Sequence, residues 1–180
     1  MHSVTVGKLQ FVPAGAAMDL VGEPIQRHLQ RHGPNGLWVS EIDPELADTA
    51  AFCAHYDVGL DISANCVVVE ARRAERTWYA ACVVLATTRA DVNGIVRKRL
   101  DARRISFAAM DDAVTLTGME YGGITPIGLP AAWPILLDED VLATERVIIG
   151  SGIRGSKVLA APEVLASLPS AEVLAIARTG

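Results

Sequence analysis

The spacing of apolar positions is helical in the first third of the chain and becomes strand-like after it. In residues 17–33, "AMDLVGEPIQRHLQRHG", apolar side chains recur at roughly helical intervals up to a terminal glycine, which predicts a helix. Residues 43–56 begin with Asp43 and Pro44, a pair typical of a helix N-cap and first turn. After a short extended start, residues 1–56 are therefore predicted to be helical.

From about residue 62 the apolar runs become β-branched and aromatic, which is typical of strands. Residues 64–71 and 77–88 are two such runs joined by the polar "RRAER", and they predict a β-hairpin. The elements expected downstream are a strand at 104–108, apolar runs at 133–141 and 145–152, a strand–turn–strand over 150–160, and helices at 89–102, 110–118 and 161–168.

This order of elements predicts an α+β protein. A chain of 180 residues fits one domain, with a mixed, twisted β-sheet flanked by helices. Two parts are expected within it. Residues 1–56 form an N-terminal helical segment packed on the core, and residues 57–180 form the part that contains the sheet.

Composition limits where the protein acts and what it binds. No apolar run reaches the roughly 18 residues of a membrane span, and the N-terminus lacks the features of a signal peptide. We therefore expect a cytoplasmic protein with no membrane partner. The net charge of −5 does not favour nonspecific binding to nucleic acid, although it permits a local basic patch.

The cysteines and histidines do not form a recognisable site. Cys53, Cys66 and Cys82 lie among apolar neighbours, without CxxC pairing or metal-ligand spacing to the four histidines. We interpret the cysteines as small buried apolar side chains. Neither a metal nor a cofactor is predicted.

Residues 117–130, "TGMEYGGITPIGLP", are the most specific local signal. Gly122, Gly123 and Gly128 surround a threonine and a proline. Glycine allows a positive φ and lets another molecule approach the bare backbone, whereas proline fixes one φ and removes one donor. The spacing matches neither a dinucleotide fingerprint nor a P-loop. These residues alone are equally consistent with a demanding turn and with a ligand cradle.

Two charged features each allow two interpretations. The segment 97–104, "RKRLDARR", concentrates five basic residues; it is either a phosphate-binding patch or, more commonly, a solvated helix face. Asp138 follows the apolar "PILL", where it either orients a ligand or caps the next turn.

Three stretches match the motifs of one known family in order and spacing. "TGMEYGGITPIG" is similar to a TGx-x-GG-x-(S/T)-P-x-G loop, "PILLDEDV" resembles a strand that ends in aspartate, and "ERVIIGSGIRGSKVLAAPEVL" resembles a closing hairpin and a proline-led helix. The family is YbaK/ProX, the aminoacyl-tRNA editing domains that also occur inserted in bacterial prolyl-tRNA synthetases. The resemblance extends over residues 57–168, and it implies that residues 57–180 form a YbaK/ProX-like editing domain.

The resemblance also implies an activity and its site. Members of the family hydrolyse the ester between a mischarged amino acid and the terminal adenosine of tRNA, and bare backbone N–H groups can hold the carbonyl oxygen as charge develops on it. The catalytic positions carried over are Gly122, Gly123, Thr125 and Asp138. The substrate-binding positions near them are Pro126, Gly128, Gly152 and Arg154.

The implied partners are aminoacylated tRNA and an aminoacyl-tRNA synthetase. With a net charge of −5, contact with tRNA has to come from a local patch. The residues predicted to form it are Arg97, Lys98, Arg103 and Arg104, joined by Arg72, Arg73 and Arg76.

One position departs from the family pattern. Family deacylases carry a lysine in a strand motif similar to "KTLV", and the motif aligns with "NCVV", so that Asn65 stands in place of the lysine and Cys66 in place of threonine. Asparagine can hold a ribose or phosphate oxygen, but it supplies no charge. Lys157 and Arg154, in and after the "GSGIRG" turn, are the candidates to replace that charge.

Two functions follow from these residues. The first is a freestanding deacylase that edits a mischarged small amino acid on tRNA in trans. The alternative is a non-catalytic binding module that keeps the pocket and recognises aminoacyl-tRNA, a nucleotide or a protein partner. Asn65 favours the binding module, and the intact glycine loop with Asp138 favours the enzyme. Both interpretations predict that residues 122–128, Asp138 and the 150–155 turn converge beside Asn65.

Overall fold

The fold is built from two five-stranded sheets and one small two-stranded sheet. The structure is a computed structural model, and it describes residues 1–179. The strands in this range are β1 Val4–Val6, β2 Leu9–Pro13, β3 Leu37–Glu41, β4 Ala64–Arg73, β5 Arg76–Leu85, β6 Thr88–Ala90, β7 Arg104–Phe107, β8 Ile135–Asp138, β9 Val147–Gly150, β10 Ser156–Ala160, β11 Ala171–Leu174 and β12 Ala177–Thr179.

Short helices connect these strands and cover the sheets. The α-helices are α1 Glu23–His32, α2 Thr49–Tyr56, α3 Arg97–Arg99, α4 Met110–Thr117, α5 Glu139–Leu142 and α6 Pro162–Ala166. A π-helical turn, Val92–Val96, leads into α3, so the predicted helix over residues 89–102 is short and irregular. Within residues 1–179, no helix is long and apolar enough to cross a membrane.

The first sheet has the order β1-β2-β3-β10-β9 and is antiparallel throughout. The second has the order β11-β8-β5-β4-β7; β5 pairs with β8, and β8 with β11, in parallel, while β4 pairs with both of its neighbours in the antiparallel sense. The third sheet pairs β6 with β12. The prediction of a single α+β domain with a mixed sheet is confirmed.

The hairpin of β4 and β5 forms as predicted, with ten residue pairs in register. Its turn places Ala74 at φ +52°. The two large sheets meet where Ser63, just before β4, bridges Ile148 of β9. The main core fills the space at this junction with apolar side chains from both sheets and from α1, among them Ile25 and Leu137.

The N-terminal part contains strands that the apolar pattern did not predict. Both helices expected there exist, although α2 begins only at Thr49. However, β3 lies between β2 and β10 in the first sheet, so the description of residues 1–56 as helical is incomplete. Four of the five residues of β3 are buried, and a strand buried on both faces lacks the alternation by which strands are recognised.

Candidate functional site

A cavity of about 450 Å³ lies between the start of α2, the first half of β4, the glycine loop and the β9–β10 hairpin. It brings Asn65, Gly122 and Lys157 together. The complete lining is Ala47, Asp48, Thr49, Ala64, Asn65, Cys66, Val67, Val68, Phe107, Ala108, Ala113, Tyr121, Gly122, Ile124, Gly150 and Lys157.

The glycine loop opens with a tight turn. The Gly123 N–H donates to the Glu120 carbonyl at 2.9 Å, and Gly122, the third residue of the turn, has φ +91°, as a type II turn requires. The Gly123 carbonyl accepts from the Gly152 N–H at 2.7 Å. A Cβ on Gly123 would lie 2.6 Å from the backbone of Ile153. Gly123 is therefore required by contact between two turns, and its N–H is not free for a substrate.

Gly122 has a different environment from Gly123. Its N–H has no acceptor within residues 1–179, and Gly122 lines the cavity. The Arg154 guanidinium lies against Gly122 and donates to the Tyr121 carbonyl at 3.1 Å, while the Arg154 N–H donates to the Glu120 carboxylate at 2.8 Å. Arg154 thus holds the turn, and Gly122 is a cavity-lining residue whose N–H has no acceptor within residues 1–179.

Lys157 brings a cation to the cavity from β10. Only 7% of the residue is exposed, and its Nζ donates to the Ala47 carbonyl at 2.9 Å. The Nζ also lies 5.2 Å from the ring centre of Phe52, a distance typical of a cation–π contact. Burial lowers the pKa of Lys157 to about 8, although the nearby Asp48 carboxylate acts in the opposite direction.

Asn65 is half-buried and is held by a neighbour from α2. Its Oδ1 accepts from the Thr49 Oγ1 at 2.5 Å. Asp48 precedes Thr49 at the N-cap position, but its exposed side chain caps no amide of the helix. The carboxylate of Asp48 is therefore available at the edge of the cavity.

Cys66 lines the cavity without offering a reactive thiolate. Burial raises its pKa far above the usual range of a thiol. Burial likewise raises the pKa of Cys82, to about 12, and the three cysteines are free thiols. Within residues 1–179 no group of three or more histidine, cysteine or acidic side chains is placed to hold a metal ion.

Comparison with known proteins identifies the family. Residues 43–168 match the family model described as the aminoacyl-tRNA editing domain. The chain belongs to this family. The resemblance to YbaK/ProX domains is thereby confirmed, and the matched region includes α2 with Asp48 and Thr49.

Individual relatives are more distant. The chain is 29% identical over 70 residues to EbsC of Enterococcus faecalis, a candidate Cys-tRNA(Pro)/Cys-tRNA(Cys) deacylase; the match covers 39% of this chain and 43% of that protein, less than half its length. The crystal structure of a candidate trans-editing enzyme for prolyl-tRNA synthetase superposes with a TM-score of 0.73 at 21% identity, over 86% of this chain and 95% of its own. The hypothetical protein APE2540 has a TM-score of 0.76 at 18% identity, over 87% and 100%. These two structures share the fold.

In this editing domain, Asp138 is buried and is bound by backbone amides. It is 2% exposed, and its carboxylate accepts from the N–H groups of Ile176 and Ala177, both at 2.9 Å, and of Asp140 at 3.1 Å. It does not line the cavity. The expectation that Asp138 lies in the site is corrected: its carboxylate caps α5 by accepting from the Asp140 N–H, and it anchors the chain between β11 and β12 by accepting from Ile176 and Ala177.

Other positions of the glycine loop also lie outside the cavity. Thr125 is fully buried, and its Oγ1 has no hydrogen-bond partner within residues 1–179. Pro126 and Gly128 line a separate cavity beside α1. Gly152 packs against Gly22, just before α1. Close backbone packing accounts for these two glycines, so the structural interpretation of the loop applies to most of it.

The basic residues form a separate cleft of about 520 Å³. Arg97, Arg103 and Arg104 line it together with Arg72, whereas Lys98 does not. Arg73, which was also expected in the patch, forms an ion pair with Asp101 at 3.1 Å.

Three polar residues of the cavity were not singled out from the sequence, namely Asp48, Thr49 and Tyr121. Asp48 and Thr49 lie in the N-terminal part, which the sequence predicts only to pack on the core. The sequence around them, at the start of α2, contains no motif that indicates a site. Only the position of α2 beside β4 brings them to Asn65.

Replacing Asp138 tests its structural assignment. We expect Asp138→Ala to lower the free energy of unfolding by about 3 kcal/mol or more, because three amides lose a charged acceptor. Urea unfolding measures this loss, and Asp140→Ala is the matched control because it removes an exposed neighbouring carboxylate while keeping the backbone donor. A variant of unchanged stability that lost its activity would instead return Asp138 to the site.

The buried ammonium of Lys157 predicts a pH-dependent stability. Its pKa is about 8 in the folded chain against the usual 10.5 of a lysine, so the unfolded chain binds more protons between these values and stability rises with pH there. The destabilisation caused by burying the charged ammonium is fully present below pH 8. We expect Lys157→Met to be more stable than wild type at pH 7, by up to about 3 kcal/mol, and to lose this advantage towards pH 10.

Urea unfolding at pH 7, 8, 9 and 10 measures the difference between the two proteins. Lys98→Met is the control, because Lys98 is exposed and its replacement should give a pH-independent difference. The same flat profile for Lys157→Met would contradict the burial of its charge.

Proposed function

We propose that this editing domain hydrolyses the ester of a mischarged small amino acid on tRNA, in trans, and that the 450 Å³ cavity is its active site. The observation that carries the proposal is the meeting of an unpartnered backbone donor, Gly122, with a buried cation, Lys157, in one cavity beside Asn65. Family membership supports the reaction class.

The lining of the cavity supports a small amino acid. Its inner side chains are short and apolar, as in Ala64, Cys66, Ala108 and Ala113. A cavity of 450 Å³ has to hold the terminal ribose as well as the aminoacyl group. The short apolar walls would contact a small side chain closely, and this lining favours a small amino acid as the substrate.

The reaction requires stabilisation of negative charge rather than a protein nucleophile. Water adds to the ester carbonyl carbon and the carbonyl oxygen becomes an oxyanion. The bond to the ribose oxygen then breaks as that oxygen takes the proton lost by the water, which releases the amino acid and a ribose hydroxyl. The Gly122 N–H is the donor proposed for the oxyanion. Burial raises the pKa of the Cys66 thiol, so the proposal assigns it no thiolate chemistry.

Lys157 takes the role of the charge that Asn65 lacks. The Lys157 ammonium extends from β10 into the cavity that also contains Asn65 of β4. The Ala47 carbonyl keeps it in place, and low exposure to water strengthens its effect on a developing oxyanion. Asn65, held by Thr49, is proposed to position the ribose through its neutral amide.

Asp48 is proposed to hold the α-ammonium group of the substrate. Among the residues that line the cavity, Asp48 is the one with a carboxylate, and that carboxylate does not cap α2. An aminoacyl ester carries a positive α-amino group close to its carbonyl, so opposite charges at the edge of the cavity orient the ester.

The binding module remains the second candidate because of one observation. Asn65 is neutral and already bound to Thr49, and Lys157 is already bound to Ala47. A site whose polar groups are satisfied internally is suited to recognition without turnover. The kinetics of the variants below distinguish the two functions.

A panel of mischarged tRNAs tests the deacylase. We expect wild type to release at least one small amino acid, Lys157→Met to lose about 10-fold or more in kcat because the oxyanion loses a charge, and Asn65→Ala to raise mainly KM. Above pH 8 the enzymatic rate should fall relative to background hydrolysis, because Lys157 loses its proton. Binding without turnover in wild type, together with gain of turnover in Asn65→Lys, would establish the binding module instead.

Blocking the α-amino group tests the role of Asp48. We expect Asp48→Asn to lower kcat/KM about 5-fold for aminoacyl-tRNA, the upper range for an exposed ion pair, and to affect N-acetylaminoacyl-tRNA much less, only through the effect of the carboxylate on the pKa of Lys157. Glu45→Gln is the matched control, since Glu45 is exposed on the preceding turn and does not line the cavity. An equal loss on both substrates would show that Asp48 acts on something other than the amino group.

A further inference from the structure

A second cavity lies on the other side of the glycine loop, between the end of that loop and α1. Its volume is about 340 Å³, and it shares no lining residue with the 450 Å³ cavity. It continues into a smaller depression of about 130 Å³, because His28 and His32 line both. The proposed function uses neither of these two depressions.

One wall of the second cavity is a face of α1 that carries four basic side chains. They are Arg27, His28, Arg31 and His32, whose spacing of three and four residues places them on one side of the helix. Arg27 forms an exposed ion pair with Glu23 at 3.2 Å, whereas Arg31 has no carboxylate within 4.0 Å in residues 1–179. None of the described residues that line the two depressions is acidic. In a protein of net charge −5, this wall is a local concentration of positive charge.

The two histidines on this wall lie against each other. Their ring centres are 4.7 Å apart, and burial together with the neighbouring His32 lowers the pKa of the half-buried His28. The residues that face His28 across the two depressions come from α4, the glycine loop, β8 and the region of α6, and they include no ionisable side chain. Positive charges crowded on one wall without a counter-charge favour an anion in the space before them.

The opposite wall is apolar and largely preformed. Pro126, which is buried, and Pro130 line it, and proline restricts the backbone on which it sits. Leu168 is 6% exposed and forms part of the same wall. Gly128 packs against the backbone of Pro24 in the first turn of α1. The loop and the helix are therefore held together at one end of the cavity.

We propose that this second cavity binds a small organic phosphate, with the phosphate group on the basic face of α1 and an apolar group against the proline-lined wall. A phosphate monoester carries nearly two negative charges, and guanidinium groups bind such oxygens in a bidentate manner. Arg27 and Arg31 are one helical turn apart, so both reach one phosphate. A volume of 340 Å³ with apolar walls and a few convergent charges is typical of a small-molecule site.

Three probes test both halves of this site by isothermal titration calorimetry at pH 7. They are naphthyl phosphate, inorganic phosphate, which lacks the apolar group, and naphthol, which lacks the charge. We expect naphthyl phosphate to bind about 10-fold or more tightly than either of the others, because only it buries apolar surface and also pairs with the arginines. Equal affinity for naphthyl phosphate and inorganic phosphate would show that the apolar wall takes no part and would overturn the proposal.

One substitution on α1 tests where the phosphate binds. We expect Arg31→Gln to lower the affinity for naphthyl phosphate about 10-fold, the range for a lost hydrogen bond to a charged group. Arg103→Gln is the matched control, because Arg103 lines the arginine cleft and not the second cavity. Loss of affinity in Arg103→Gln with unchanged affinity in Arg31→Gln would place the phosphate in that cleft and contradict the proposal.

The pH dependence of binding tests the position of His28 in the site. A bound anion favours the imidazolium form, so binding takes up a proton, and we expect the affinity of wild type for naphthyl phosphate to gain about 3-fold or more relative to His28→Gln between pH 8 and pH 6.5. Titration of the phosphate itself affects both proteins equally. Parallel profiles would show that the phosphate does not lie beside His28 and would count against the site. Binding is measured without tRNA, so the result is independent of whether the protein deacylates it.

Discussion

The site depends on a contact between two backbone turns that have no side chains between them. The glycine loop and the turn after β9 are joined by the hydrogen bond from the Gly152 N–H to the Gly123 carbonyl, and added Cβ atoms on Gly123 or Gly150 would lie 2.6 Å from backbone atoms of the opposite turn. On the side of the glycine loop, this contact fixes the position of Gly122. On the side of the hairpin, it fixes the position of Lys157, which is paired with Gly150.

This contact explains why a side chain on Gly123 would be a poor probe of chemistry. The N–H of Gly123 already closes the turn to Glu120, and its Cα faces the backbone of Ile153. A substitution there would separate the two turns and displace both Gly122 and Lys157. The donor proposed for catalysis is therefore one residue earlier than the glycine that the loop most strictly requires.

The placement of Lys157 opposes stability, and the proposed function gives a reason for it. A lysine that is 7% exposed costs free energy at neutral pH because it must stay charged away from water, and the Ala47 carbonyl and the Phe52 ring offset only part of this cost. Such costs concentrate at functional sites. A lysine on β4 in place of Asn65 would be next to Thr49, the residue that now donates to Asn65.

Local sequence determined much of this protein. The hairpin of β4 and β5, the end of α4 at Gly118 in the left-handed conformation and the proline-led start of α6 all follow from periodicity and from the φ angles that glycine and proline allow. The glycine loop was recognisable for the same reason. Tertiary structure alone decided which residues share a cavity, because burial and pairing join positions distant in the chain. It placed Asp138 at the cap of α5, left the Thr125 hydroxyl without a hydrogen-bond partner within residues 1–179, and brought Asp48 of the N-terminal part into the cavity that contains Asn65.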